Sequence, residues 1–250
     1  MIIAVCGNSG SGKSTLAVKL ATALAARQLN TVLIDTDFVS PQFNVWYPKK
    51  EMFAHQSLSV LLDNNIDIEA TADKIHVIND TLGVLGYARD FSVNAIPRRH
   101  DTVPQLLSCL EEMSDVIVVD VQTGFINDNL SFEVMNRADV RLVAISPDVK
   151  ALSWYDSNIR MMEEQWQNND AVTIKAFNKT KASAPLDDIQ RIIGEVSYYI
   201  PYCNEVEEQL YTGTMADLSM HSKTGRQYLG VLRSLTDEIV ELLNNGPKAE

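Results

Sequence analysis

The chain has 250 residues, 46% of them hydrophobic, which suits one α/β domain spanning residues 1–250. Its 33 acidic and 21 basic side chains give a net charge of −12, which argues against a broad electropositive surface for non-specific DNA binding. No apolar run approaches the roughly 20 residues that span a bilayer, so any membrane contact is expected to be peripheral.

The N-terminal run Ile2-Ile3-Ala4-Val5-Cys6 reads as a buried strand, and Gly7-Asn8-Ser9-Gly10-Ser11-Gly12-Lys13-Ser14 follows it directly. This is a complete GxxxxGK[ST] loop in the strand, loop, helix context that the motif requires. Glycines allow successive N–H groups to turn around phosphate oxygens, and the helix beginning near Lys13 points its positive end at them. Lys13 is expected to reach the β- and γ-phosphates and Ser14 to ligate Mg²⁺. Because the loop begins at Gly7, no charged, cleavable leader is expected, and a cytoplasmic location follows.

Leu16, Leu20, Ala23 and Leu24 form one stripe of the first helix. The run Thr31 to Ile34 reads as a second strand, with Asp35 and Asp37 alternating at its carboxyl end, facing the phosphate loop if the two strands are neighbours. From Pro41 to Arg99 prolines and Asn/Asp clusters break the pattern. Variable loops, partner contacts, a strand over Ile75 to Ile78 and a short helix over Leu58 to Leu62 are expected there. Lys49-Lys50 and Arg98-Arg99-His100 are local basic clusters, read as solvated loops.

The run Asp115-Val116-Ile117-Val118-Val119-Asp120 has the form of a Walker B strand, with Asp120 placed to assist Mg²⁺ and Gly124 to offer a backbone N–H to the γ-phosphate. Further strands are predicted over Val140 to Ile145 and Val172 to Phe177, and helices over Leu152 to Gln167 and Arg226 to Leu243. The last helix carries Leu229, Leu232, Leu235, Ile239 and Leu242 at helical spacing, stops at Asn245-Gly246-Pro247, and is expected to pack on the domain. Near-continuous apolar strands separated by helix-length segments predict a doubly wound, mostly parallel sheet flanked by helices, with ligands at the carboxyl ends of the strands. Three widely spaced cysteines and four histidines offer no His/Cys metal spacing, so the metal is expected to arrive with the nucleotide.

The order of motifs resembles the MinD/ParA family of P-loop ATPases, which also includes pilus-positioning proteins of the TadZ/CpaE type. The resemblance covers nearly the whole chain. It rests on the N-terminal loop, Leu33-Ile34-Asp35-Thr36-Asp37, Val118-Val119-Asp120-Val121-Gln122-Thr123-Gly124, Ala138-Asp139, Ser146-Pro147-Asp148, Phe177-Asn178-Lys179 and Ile200-Pro201-Tyr202. It implies that Thr15 also meets phosphate, that Asp37 positions the attacking water, and that Asp35 supports Mg²⁺. It further implies that Asn178 reads the adenine edge, that Pro201 and Tyr202 line the base pocket, and that an ATP-bound homodimer controls a protein partner. One position departs from the family loop KGGxGK[ST]: Asn8 stands where its signature lysine would be. Slow hydrolysis, a substitute cation such as Arg89, Arg98 or Lys150, and binding without turnover are all compatible with a neutral amide there.

Other readings fit parts of the pattern. A ParA-like segregation ATPase fits the motifs but not the acidity. A small-molecule kinase fits the loop but lacks an arginine-rich lid. A bacterial tyrosine kinase would need tyrosines after Tyr228, and related iron–sulfur carriers need a cysteine pair that is absent.

Overall fold

A computed structural model describes residues 1–47, 54–62, 66–88, 102–163, 165–166 and 170–245. Among them, strands β1 (Ile2–Gly7), β2 (Thr31–Asp35), β3 (His76–Asn79), β4 (Leu82–Leu85), β5 (Val116–Asp120), β6 (Val140–Ile145), β7 (Val172–Thr180) and β8 (Tyr198–Pro201) form one sheet in the order β3-β4-β2-β5-β1-β6-β7-β8. All pairings are parallel except β3 with β4. The doubly wound, mostly parallel fold expected from the sequence is therefore present.

Period-two alternation divides the central strands between two cores. Ile2, Ala4 and Cys6 join Leu106, Leu107 and Leu110 of α5 (Thr102–Met113) and Leu130 and Val134 of α6 (Asn129–Arg137) on one face. Ile3 and Val5 join Leu16, Leu20 and Leu24 of α1 (Lys13–Ala25) and Leu232, Leu235 and Ile239 of α10 (Lys223–Asn245) on the other. The expected packing of the last helix on the domain is thus realised. Its proposed stop signal, Gly246-Pro247, lies outside the described residues, as do Lys49-Lys50 and Arg98-Arg99-His100.

Several boundaries differ from the sequence reading. The Ile75 to Ile78 run becomes β3, an antiparallel edge strand that alternates half-buried and exposed residues instead of being buried on both faces. Its partner β4 escaped notice because Gly83 interrupts a four-residue run. That glycine is needed, since a Cβ there would sit 2.4 Å from Ile75 Cγ2. Strand β8 was hidden by its terminal Pro201, a residue that edge strands tolerate. The expected 58–62 helix is α3 (Leu58–Leu62), between the short α2 (Phe43–Trp46) and α4 (Ile68–Lys74). The helix expected from Leu152 starts earlier, as α7 (Val149–Tyr155), because Asp148 caps it by accepting from Ala151 N–H; it passes into a π-helical turn over Asp156–Arg160. Its first turn carried no apolar stripe because Val149 is exposed, and its expected end, Gln167, lies outside the described residues.

One cation is buried inside the second core. Lys19, on α1, has no exposed surface, and its Nζ donates to Gln209 Oε1 of α9 (Asn204–Thr212) and to the Asp217 carbonyl. It therefore fixes α9 and the following loop against the phosphate-loop helix. Burial lowers its pKa to about 8, against a partial upward pull from Asp217 and Cys203. Between pH 8 and 10.5 the unfolded chain holds the proton that the folded chain has released, so this group's contribution to stability rises with pH across that window. Comparing denaturant unfolding of the wild type and Lys19→Met should show their stability difference moving in favour of wild type by on the order of 2–3 kcal/mol from pH 8 to 10.5. A pH-independent difference would show that Lys19 does not titrate there.

Candidate functional site at the carboxyl ends of the strands

Residues 7 to 12 leave β1 and close a loop over the N-terminus of α1. Gly12 caps the helix at φ 85°, a left-handed conformation that glycine adopts without strain. Every carbonyl from residue 8 to residue 12 has a donor. Asn8 O accepts from Ser11 N, Ser9 O from Asn8 Nδ2, Gly10 O from Lys179 Nζ, Ser11 O from Asn178 Nδ2 and Gly12 O from Leu16 N. With its carbonyls held outward, the loop is shaped to present N–H groups to an anion.

The acidic side of the site is built by strand register. Asp35 and Asp120 end β2 and β5 as direct partners, and β5 separates β2 from β1. Asp35 therefore faces Asp120, with the phosphate loop one strand further away, and not the loop directly. Lys13 Nζ lies 3.2 Å from Asp120 Oδ1. Asp120 Oδ2 is buried with no hydrogen-bond partner. Burial pushes the Asp120 pKa up; Lys13 and Ser14 pull it back. An oxygen orphaned in this way, together with the Ser14 hydroxyl, offers the oxygen ligands that a hard cation with retained waters would use.

Asp35 is fully buried, and its two oxygens accept from Asp37 N at 3.0 Å and Gln42 N at 2.6 Å. Burial first, and then Asp120, push its pKa up to about 8, while the backbone N–H groups of Gln42 and Asp37 pull it back. Asp37 is half-buried, and its Oδ1 caps the following turn by accepting from Val39 N and Ser40 N. Gly124 is exposed, with open space where a side chain would stand.

The remaining expected residues divide in two. Thr15, Pro201 and Tyr202 line a cavity of about 90 Å³ beside Gly12, together with Asn178. Asn178, expected to read a base edge, also bonds the backbone beside that cavity: Nδ2 donates to Ser11 O at 2.8 Å and Oδ1 accepts from Lys179 N at 2.9 Å. Asn8 points away from the loop interior. Its Nδ2 donates to Ser146 Oγ at 2.7 Å and its Oδ1 accepts from Ser146 N at 3.2 Å, while Ser146 Oγ donates to the capping Asp148. Of the three cations considered as substitutes for a signature lysine, Arg89 and Arg98 lie outside the described residues. Lys150 is exposed and lines an open cleft with Ser9, Gly10, Lys179 and Lys181.

Sequence reasoning missed three contributors. Buried Thr36 joins the loops after β2 and β5, its Oγ1 donating to Asp120 O and accepting from Gln122 N and Ser131 Oγ. Ser146 and Lys179 are the others. Thr36 sits between the two aspartates that were singled out, so a polar residue at a strand end was the available signal.

Sheet order, loop and acidic strand ends together define a P-loop nucleotide-binding fold. The description "CobQ/CobB/MinD/ParA nucleotide binding domain" matches residues 2–239, and the chain belongs to that family. It is 26% identical over 172 residues to the septum site-determining protein MinD of Synechocystis sp.; the match covers 66% of this chain and 60% of that protein, under two thirds of its length. A ParA family ATPase from Chlorobium tepidum has a similar structure, with TM-score 0.76, 14% identity and coverage of 94% of this chain and 98% of that one. MinD of Pyrococcus horikoshii in complex with Mg-ADP gives TM-score 0.76 at 17% identity, covering 97% of each chain. No helix among the described residues is long and apolar enough to cross a membrane.

The raised Asp35 pKa carries a stability consequence. Between pH 3.8 and 8 the folded chain keeps a proton that the unfolded chain releases, so this group favours folding in acid and its contribution is lost as pH rises toward 8. In ligand-free thermal melts from pH 4 to pH 8, Asp35→Asn should gain steadily relative to wild type. A constant offset would mean that Asp35 is ionised throughout.

Proposed function

We propose that this chain is an ATP- and Mg²⁺-dependent molecular switch in subcellular positioning or in pilus, secretion or conjugation-type assembly. In this reading residues 1–250 act as one domain that dimerises on binding ATP, hydrolyses it slowly and controls a protein partner. Membership of a nucleotide-binding family that includes MinD and ParA supports the nucleotide and positioning parts of the reading. The Mg-ADP bound to a MinD of closely similar fold supports the cofactor.

The observation that carries the proposal is the buried, unpartnered Asp120 Oδ2 beside Ser14 and Lys13, at the mouth of a loop whose carbonyls are all turned outward. Residues 7–15 would hold the phosphates, with Lys13 moving from Asp120 to the β- and γ-phosphates. Ser14 and Asp120 would hold Mg²⁺, with Asp35 behind them. Bound Mg²⁺ supplies charge neutralisation for phosphoryl transfer. Asp37 would orient the attacking water once its turn over residues 37–40 is reordered, and Gly124 would offer its N–H from the second loop. Thr36 ties these two loops to one another, so a change at either strand end is felt at both.

Hydrolysis is expected to be slow. Asn8 is neutral and bonded to Ser146, so it delivers no charge to a developing transition state. Lys150, which lines the cleft beside Ser9 and Gly10, would be the substitute among the described candidates. The net charge of −12 favours a protein partner over a ParA-like hold on DNA.

Equilibrium binding, phosphate release and light scattering test the proposal together. Wild type should bind MgATP, shift toward dimer and release phosphate without an added acceptor. Lys13→Ala should lose binding by about 100-fold or more, as expected when a buried charge contact of 3 kcal/mol or so is removed. Asp37→Ala should bind and dimerise yet lose turnover by on the order of 100-fold. A wild type that neither binds ATP nor changes its association state sinks the switch reading, and phosphate transfer only to an added acceptor makes the chain a kinase. Binding and dimerisation without turnover would leave a nucleotide-gated scaffold.

A further inference from the structure

Thr36 stands between the two aspartates at the end of β2 and has no exposed surface. A hydroxyl has one hydrogen to donate and two lone pairs to accept with, and here all three are used. Thr36 Oγ1 donates to the Asp120 carbonyl at 2.9 Å and accepts from Gln122 N at 2.9 Å and from Ser131 Oγ at 2.8 Å. The Thr36 N–H adds a longer bond to the same Asp120 carbonyl, at 3.3 Å. The carboxyl end of β5 is thereby gripped from β2 at the residue that would hold Mg²⁺.

Gln122 and Ser131 bracket the loop that follows β5, and both ends of that loop donate to the one Thr36 oxygen. Between them lie Gly124, exposed and with open space around it, and Phe125, which is fully buried and roots the loop in the core. Further ties hold the interior of the loop: Asn127 N bonds Gly124 O, Asp128 caps α6 by accepting from Ser131 N, and Trp154 Nε1 of α7 donates to Thr123 O at 3.1 Å. On the other side, Thr36 is followed directly by Asp37, whose carboxylate caps the turn over residues 37–40. One buried hydroxyl is therefore the meeting point of the loop that carries Asp37 and the loop that carries Gly124. A valine of nearly the same shape could make none of its bonds, and would leave Gln122 N and Ser131 Oγ facing a methyl group.

We propose that the Thr36 hydroxyl is the positioning group that locks the loop after β5 to the loop after β2, so that a γ-phosphate bound by the Gly124 N–H fixes Asp37 at the same time. With no exposed surface, Thr36 acts through Asp120, Gln122 and Ser131 and not on the nucleotide itself. The proposal rests on the reading of this chain as an ATP-binding switch. It assigns the discrimination between ATP and ADP to the closure of the 122–131 loop on one side-chain oxygen.

The test compares MgATP and MgADP affinities, and steady-state phosphate release, for wild type, Thr36→Val, Thr36→Ser and Ser131→Ala, with circular dichroism melts to establish that each is folded. ADP lacks the γ-phosphate, so its affinity reports the fold and the phosphate loop without the 122–131 loop. A neutral hydrogen bond corresponds to roughly a 2- to 10-fold change in an equilibrium constant. Thr36→Val, which loses all the hydroxyl's bonds, should weaken ATP relative to ADP by about 10-fold or more while leaving ADP affinity unchanged. Its kcat should fall by about 10- to 100-fold, as a displacement of about 1 Å at a reacting group causes. Thr36→Ser keeps the hydroxyl and should recover most of both effects. Ser131→Ala removes one of the two loop-end donors and should shift the ATP-to-ADP ratio in the same direction by roughly 2- to 5-fold. A wild-type ratio in Thr36→Val, equal losses of ATP and ADP, or a Thr36→Ser variant as impaired as Thr36→Val would each overturn the proposal. If Thr36→Val does not fold, an unchanged ratio in Ser131→Ala overturns it alone. If wild type binds neither nucleotide, it is the underlying ATP-binding reading that fails.

Discussion

A loop that turns its N–H groups toward an anion must send its carbonyls elsewhere, and a buried carbonyl without a donor costs about as much as a lost hydrogen bond. This constraint organises the whole carboxyl end of the sheet. The five carbonyls from Asn8 to Gly12 draw on the loop itself, on the first turn of α1, and on two side chains that β7 delivers from the far side of β6. Lys179 reaches Gly10 from a left-handed backbone position, φ 57°, a conformation that costs a non-glycine residue something and is held here by the contacts around it. The cavity beside Gly12 and the phosphate loop therefore share one wall, since Asn178 and Lys179 line the first while bonding the second.

A second constraint is charge. Asp35 and Asp120 stand side by side and buried at the strand ends, where isolated charges are costly, and half-buried Lys13 reaches Asp120. The ligand-free site settles the matter in two ways. Lys13 pairs with Asp120, and Asp35, whose pKa burial pushes up, has both oxygens bonded by backbone N–H groups. An incoming polyphosphate that draws Lys13 away would leave Asp120 without its counter-ion, which is the arrangement in which a divalent cation is most strongly favoured. In the proposed switch this shared lysine would couple nucleotide to metal, and Thr36, bonded to the Asp120 carbonyl and to Gln122 N, joins the two strand-end loops.

The parts of this molecule legible in the sequence are those with a local cause. A GxxxxGK[ST] loop, six apolar runs and aspartates at strand ends need no knowledge of neighbours, and they located the sheet, the site and the last helix. The parts that were not legible depend on partners far along the chain. β4 is a strand because β2 and β3 pair with it on either side, with Gly83 leaving room for Ile75. Asp35 faces Asp120 because β5 inserts between β2 and β1, an order that no local pattern specifies. Asn178 was singled out through the family resemblance, but its contact with the loop at Gly12, 166 positions earlier in the chain, follows from no local pattern.

Asn8 illustrates how a single departure acquires meaning only from such long-range contacts. As a sequence feature it is a missing positive charge. As a structural feature it is a reciprocal amide clamp, donating to and accepting from Ser146, which in turn bonds the Asp148 cap of α7. A lysine in that place has no acceptor to offer Ser146 N, so the charge and the clamp are alternatives at this position. By keeping the clamp, the chain fixes the phosphate loop to the loop after β6 and sets the first turn of α7, with exposed Lys150, at the rim of the same cleft. The charge absent from the loop has not been replaced within it. The cations lining the same cleft, Lys150, Lys179 and Lys181, stand on α7 and on or just after β7.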